Sequence, residues 1–391
     1  MKKIRSTVIA LAMGVLAGCT EADKFDYDKN VIFVSGAEVT PVTKFVLEDT
    51  PSSFVVTAST AMVVDKDIKV KFAIDNSLVE AYNEKNSTSF SAVPDDAIVF
   101  ENGDAVVVAG KSFSTPATVK VVSTENFVEG RNYLIPVTIQ TVDGLEVLEP
   151  SRTLYLQISR VIHFASLNIS NPNMYSNFKF PEDKQIELSN YTYEIKFRSE
   201  EWHHIARMFA FPSAMLRFGE LGAPVNSVQW CYDGGNMYSN TLFDTNRWYM
   251  LSLTNDGSNL TMYVDGVKDN QMGGAKPVKL ESLEFGMSWT GYPHQQYFKG
   301  RIAEVRVWNR ALSPGELKLG LCGVDPQSEG LVAYWKMNEG EGHIFHDATG
   351  NGYDIDWSNT FREIQEGNPT YGLDYSQYVG WDKDDNNKCA Q

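Results

Sequence analysis

The chain is poor in cysteine, with four in 391 residues. None forms a CxxC pair and no His/Cys spacing of the zinc type occurs, which argues against zinc-bound and disulfide-dense scaffolds. Basic residues are in deficit: 34 Lys and Arg face 50 Asp and Glu, a formal charge of −16. A surface of that sign has no electrostatic footprint for nucleic acid. Past the N-terminus, no stretch approaches the roughly 18 consecutive apolar residues that span a bilayer as a helix. Familiar catalytic signatures are missing too. The sequence holds no Gly-x-Ser-x-Gly elbow, phosphate-cradling loop, His-Glu-x-x-His helix or Glu-x-Asp-x-x-Glu strand.

What is present begins at the N-terminus. Lys2, Lys3 and Arg5 precede an apolar run from Val8 to Ala17, too short to cross a membrane and ordered like a secretory signal. The run ends in Leu16-Ala17-Gly18-Cys19, which resembles the bacterial lipobox. The resemblance implies that residues 1–18 are a removed lipoprotein signal peptide and that Cys19 carries a diacylglycerol thioether. A plain secretory signal ending near a cysteine is the alternative. Two or three acyl chains meet the two-signal requirement for stable attachment. Thr20-Glu21-Ala22-Asp23 is similar to the acidic surface-export signals of Bacteroidetes lipoproteins, which implies an outer-membrane location facing the cell exterior. Removing residues 1–18 takes away three basic residues and moves the charge to −19, 31 basic against 50 acidic. Anionic headgroups would repel such a chain, so the lipid is its expected tether.

After a linker at 19–30, residues 31–162 read as short strands. Val70, Phe72 and Ile74 alternate with Lys69, Lys71 and Ala73; Tyr133, Ile135, Val137 and Ile139 form a second such series, and Leu154, Leu156 and Ile158 a third. Period-two alternation marks antiparallel sheets with one buried face. The helical candidate is Ser77 to Glu84, capped by Asp75 or Asn76. An immunoglobulin-like sandwich is expected. Val79-Glu80-Ala81-Tyr82-Asn83, Val93-Pro94, Ala109-Gly110 and Tyr133-Leu134-Ile135-Pro136-Val137 resemble the domain of unknown function that opens many Bacteroidetes surface lipoproteins. The resemblance implies a spacer.

Residues 163–391 keep the alternation with denser aromatics. Asn246-Arg247-Trp248-Tyr249-Met250 leads to Leu260-Thr261-Met262-Tyr263-Val264-Asp265-Gly266, and Phe298-Lys299-Gly300-Arg301-Ile302 runs on to Val307-Trp308-Asn309-Arg310. These stretches, with Gly330-Leu331-Val332-Ala333-Tyr334-Trp335, resemble the laminin-G-like, concanavalin A-like jelly-roll family. An all-β chain of two sandwiches follows. Trp248, Tyr263 and Trp308 are expected in the core, and Asp265-Gly266 in a tight turn. Ser313-Pro314-Gly315-Glu316 is a capping box that should start a short helix. In the family, the Gly330 to Trp335 segment commonly opens the domain. Here it is either an added edge strand or the rim of an elaborated domain. Cys231, Cys322 and Cys389 allow at most one disulfide; Cys322 with Cys389 would staple the tail, and the pairing stays open.

Chemistry is thin. Glu281 and Glu284 fall on opposite faces of a strand, while Glu339 and Glu341 sit in a glycine-rich turn, so no positioned acid pair is evident. His203 and His204 are adjacent and read as polar loop residues. Asp347, Asn351, Asp354 and Asp356 form an oxygen-rich turn that could hold structural calcium. Sugars present apolar C–H faces to flat aromatic rings. Trp202, then Trp230 with Tyr232, and above all Trp289, Tyr292 and His294 in a glycine- and proline-marked loop, are the candidate glycan-binding residues. The expectation is a non-catalytic, cell-surface glycan-binding lipoprotein of a polysaccharide-utilisation system, partnered by an oligo- or polysaccharide and an outer-membrane glycan importer complex. Two alternatives stay open: a glycoside hydrolase with an unrecognised carboxylate pair, and a structural or adhesin subunit that binds protein.

Overall fold

The computed structural model describes Lys29 to Ala390, apart from residues 48–49, 173–176, 212–213, 221, 233–234, 287–295, 363–369 and 383–386. Among the described residues no helix is long and apolar enough to cross a membrane. Cys19 lies outside the described residues, as do Trp289, Tyr292 and His294.

Two β sandwiches, each with its own core, account for most of the described residues. In the first, Ile68–Ile74, Tyr133–Val142 and Thr153–Ser159 lie side by side in one sheet, and Ser52–Val56, Ala117–Val121 and Ile98–Glu101 form another. Alternation buries Val70 and Phe72 while Lys69 and Lys71 face solvent. Phe72, Ile135, Val137 and Leu156 meet Val56, Val119 and Val121 in the core. Each such side chain contributes about 1.5–3 kcal/mol by leaving water. Tyr133–Val142 departs from the expected one-sided pattern, because every residue from Tyr133 to Ile139 is buried. The helix α1 (Leu78–Asn86) explains this: its Val79 packs with Phe90 on Leu134, on the face away from the core. Ser77, not Asp75 or Asn76, takes the N-cap position, and Asp75 Oδ1 instead accepts from the Ser77 amide and hydroxyl at 3.1 and 2.6 Å.

The second sandwich packs a large and a small antiparallel sheet. The large sheet runs in the order Val267–Gly273, Asn259–Val264, Trp248–Asn255, Tyr191–Ser199, Gly300–Trp308, Ser166–Asn168, Gly380–Asp382; the small one Asn177–Lys179, Ser282–Phe285, Ala206–Phe211, Ala214–Phe218, Val228–Tyr232, Gly235–Tyr238. Tyr193, Phe197, Leu253 and Val305 on one side meet Leu216, Phe218, Trp230 and Phe285 on the other. Leu331–Trp335 pairs with the end of Gly300–Trp308, from Val305 opposite Trp335 to Trp308 opposite Leu331, so the displaced family segment is an added strand. Asp265 and Gly266 both have positive φ, the mark of a type I′ turn. A Cβ at Gly266 would meet Lys318 of helix α2 (Pro314–Leu319) at 2.7 Å, so glycine also permits the hairpin to touch that helix. Ser313 and Glu316 form the capping box.

Trp308 is buried in a satellite cluster with Tyr263 and Leu317. Trp248 corrects the expectation: it is only half-buried, edge-on to Phe164, with its Nε1 donating to Asn387 at 3.1 Å. Its strand alternation turns Tyr249 and Leu251 inward and Trp248 outward, toward the tail. That tail is stapled. Cys322 and Cys389 form a disulfide, Lys388–Ala390 pairs with Val161–His163, and Cys231 is free.

The sandwiches meet where α2 and the turn after it touch the first domain. Asn132 Nδ2 donates to the Leu319 carbonyl at 2.9 Å, Arg131 bonds Asp325 at 2.6 Å, and the Ser313 hydroxyl donates to the Ser87 carbonyl at 2.7 Å. Backbones approach so closely that a Cβ on Gly130 would lie 2.1 Å from the Val324 carbonyl oxygen.

Candidate binding face

Each sheet of the second sandwich has a face turned away from the core, and the two faces differ. On the large sheet, Glu194, Lys196 and Arg306 point outward yet are buried under α2 and residues 320–322. Arg306, fully buried, donates to Glu194 at 3.2 Å, to the Gly320 carbonyl at 2.9 Å and to Glu304. Glu194 also accepts from Trp308 Nε1 at 3.0 Å and Ser252 at 3.2 Å. Lys196 donates to the Leu321 carbonyl at 3.0 Å, and burial pushes its pKa down to about 8. This face is closed: Arg306 is spent on Glu194 and Glu304, and Lys196 on the Leu321 carbonyl. A cavity of about 690 Å³ opens beside it between the domains; in its lining Arg131 pairs with Asp325 and Arg310 with Glu316.

The small sheet's outward face is assembled by cross-strand register. Arg207 stands opposite Arg217, Arg217 opposite Gln229, and Gln229 opposite Tyr238, a line of four side chains over four strands. Arg217 Nε donates to Gln229 Oε1 at 2.7 Å, and Gln229 Nε2 donates to the Tyr238 hydroxyl at 2.7 Å. Glu220 lies 3.6 Å from Arg217. A second line runs Asn177, Glu284, Ala210, Met215, Cys231, Asn236. Ala210 and Met215 make an apolar floor there, while Asn177 donates to Glu284 at 3.0 Å and keeps its buried Oδ1 without a hydrogen-bond partner. Gln229 is sealed between its neighbours; Arg217, Tyr238 and Met215 are half-buried and Asn236 is exposed. Fixed guanidinium, amide and phenol groups beside an apolar floor can hydrogen-bond hydroxyls and carboxylates and receive a ring face.

Trp230 is a correction. It is fully buried in the core, tilted against Tyr193 with ring centroids 6.3 Å apart, and offers no platform. Its own alternation explains why: Val228 and Trp230 share one side of the strand and Gln229 takes the other. Tyr232 closes that strand opposite Ala214 and Gly235; its side chain lies outside the described residues. Trp202 is half-buried at the rim against Phe218, with ring centroids 4.6 Å apart and its Nε1 unbonded. The stretch holding Trp289, Tyr292 and His294 is bounded by Gly286, whose amide donates to the Met208 carbonyl at 2.8 Å, and Gln296, whose carbonyl accepts from the Arg207 amide at 3.0 Å. Both ends are thus tied to the strand that carries Arg207. Next to it, Glu201 accepts from Tyr297 and Lys299 at 2.9 and 3.1 Å; Lys299 first, then Tyr297, holds its carboxyl below the usual range. His203 lies against Tyr297 in this loop cluster.

The sequence agrees with this two-sheet geometry on the fold of the second domain. Residues 171–318 match the family model of the concanavalin A-like lectin/glucanases superfamily, and residues 27–146 match that of an N-terminal domain. The second sandwich is a concanavalin A-like domain. No curated protein matches the chain. Among solved structures, a Bacteroides ovatus protein provisionally named as carbohydrate-binding is 21% identical with a TM-score of 0.55, over 88% of this chain and 98% of that one. It shares the fold across both domains. A heptameric pentraxin of Limulus polyphemus is 11% identical, over 55% of this chain and 97% of its own, with a TM-score of 0.35. Domain 4 of an extracellular arabinanase from Geobacillus stearothermophilus, solved with arabinotriose, is 19% identical over 34% and 66%, with a TM-score of 0.29.

Within the concanavalin A-like domain the calcium candidates serve the turn itself. Asp347, buried, accepts from the Tyr334 and Thr349 amides at 3.0 and 3.1 Å and from the Thr349 hydroxyl at 2.8 Å. Asn351 donates to the Val332 carbonyl, and Asp354 accepts from the Asp347 amide. These side chains are engaged in the turn's own hydrogen bonds, and among the described residues no group of three or more His, Cys, Asp and Glu is placed to hold a metal. Glu281 is paired with Lys279, and Glu284 belongs to the outward face. Sequence reasoning missed the Arg207, Arg217, Gln229 and Tyr238 line. The available signal was a polar residue between two apolar ones, as in Leu216-Arg217-Phe218 and Val228-Gln229-Trp230.

Proposed function

We propose that this chain is a lipid-anchored outer-membrane protein that captures an oligo- or polysaccharide at the cell exterior without cleaving it, as the binding component of a glycan-utilisation system with an importer alongside. The registered line of Arg207, Arg217, Gln229 and Tyr238 carries this reading. It presents fixed donors and acceptors beside an apolar floor, next to both ends of the stretch that holds Trp289, Tyr292 and His294. The family match and the provisional name of the Bacteroides ovatus relative support carbohydrate as the ligand. Glycosidic cleavage needs two carboxylates set about 5–9.5 Å apart around one bond. Glu284 is hydrogen-bonded to Asn177, and its line across the sheet holds no second acid. Affinity electrophoresis against a panel of plant and host glycans tests the proposal. At least one glycan should retard the protein, and Arg217→Ala or Trp289→Ala should weaken that binding at least tenfold. Unretarded migration with every glycan would sink it, and release of reducing sugar would put a glycosidase in its place.

A further inference from the structure

The first sandwich has two poles, and they are unlike. Tyr133–Val142 begins beside Arg131 and Asn132, which hold the concanavalin A-like domain, and ten extended residues carry it about 33 Å to the opposite pole. There Asp143 bonds the Lys69 carbonyl, and residues 59–64 run beside residues 110–113 through Thr60 to Ser112, Val64 to Lys111 and Gly110 to Val64 backbone bonds. These paired loops, with Val108, whose carbonyl accepts from the Lys111 amide, expose Met62 at 46%, Val63 at 63%, Val108 at 47% and Phe113 at 57% of their surface. Scattered apolar residues are ordinary on a protein surface, whereas four on two bonded loops form a patch.

The chain also enters the fold at this pole. Asn30 and Met62 exchange two hydrogen bonds, at 3.0 and 2.8 Å, between side chain and backbone. Residues 20–29 are all that separate Cys19 from Asn30, and fully extended they reach about 35 Å. Charge on the described residues of this pole is balanced, since the exposed Lys29, Lys66, Lys69 and Lys111 offset Asp65, Asp67, Asp143 and Glu146, unlike the strongly negative chain as a whole.

We propose that the pole formed by residues 59–67 and 108–113 seats in a phospholipid bilayer interface, with Met62, Val63, Val108 and Phe113 as its contact. The inference rests on Cys19 carrying the lipid, which keeps this pole within one short tether of the membrane. Seating here points the opposite pole, and with it the concanavalin A-like domain, away from the bilayer. The first domain then sets orientation as well as distance.

The test uses the full lipidated chain in phosphatidylcholine vesicles, with Cys231→Ser removing the free thiol. An environment-sensitive fluorophore is placed through Val63→Cys, Phe113→Cys or, as a control in the other domain, Leu242→Cys, itself exposed. At positions 63 and 113 emission should shift to the blue and be quenched by spin-labelled lipid severalfold more than at 242. Equal, water-like emission at all three positions overturns the proposal. So does shielding at 63 and 113 that appears without vesicles and grows with protein concentration, which would make a second copy the occupant. Intact mass separates the two premises: an unacylated Cys19 overturns the tether and this proposal with it, while an acylated chain with water-like labels overturns the seating alone.

Discussion

The two outward faces of the concanavalin A-like domain use similar residue types and end in opposite states. Glu194, Lys196 and Arg306 on the large sheet are closed over by α2 and residues 320–322, and every carboxylate oxygen of Glu194 is engaged. On the small sheet Arg217, Gln229 and Tyr238 are bonded in a line, with Arg207 in register beside Arg217, and Arg217 and Tyr238 stay accessible. A charged residue at an outward strand position therefore says little by itself. What covers it decides whether it supports the fold or remains available to a ligand.

The largest break in this comparison should come from Arg306→Leu. It strands Glu194 and Glu304 as buried carboxylates without their cation, and losing one partner of a buried pair costs about 3–5 kcal/mol. Chemical denaturation should show that loss, and a change under 1 kcal/mol would mean that water reaches the network. Lys196 offers a smaller, pH-dependent contrast. In the folded chain burial lowers its pKa from 10.5 to about 8. The unfolded chain thus binds the extra proton between those values, and stability from this group rises with pH across the window. The stability difference between the natural chain and Lys196→Met should move in favour of the natural chain by about 3 kcal/mol from pH 7 to above 10.5. A flat difference would mean that Lys196 is solvated. Smallest in stability is Arg217→Ala, whose exchange should change unfolding free energy by no more than about 1 kcal/mol, because half-buried polar contacts contribute little net. Its glycan binding should nevertheless fall. A loss of stability equal to that of Arg306→Leu would erase the distinction between the faces.

Much of the architecture was readable before folding. Alternation announced both sandwiches, Asp265-Gly266 its turn, and Ser313 to Glu316 its helix, because each depends on residues within a few positions of one another. Trp230 and Trp248 were not readable as placed. Each is an aromatic on a strand, and local sequence does not tell which side of the strand will meet the other sheet. Trp230 went inward and Trp248 out toward the tail. The burial of both faces of Tyr133–Val142 likewise came from α1 and from Leu319, which is 185 positions from Leu134 along the chain.

The line of Arg207, Arg217, Gln229 and Tyr238 lies beyond sequence reading for the same reason. Chain chemistry dictated period, turns, caps and charge, all of which are properties of near neighbours. Only tertiary pairing put four strands in register so that one side chain from each met the next. Only the docking of α2 sealed the other face, since the free energy of covering a sheet belongs to whatever segment arrives there and not to the strand being covered.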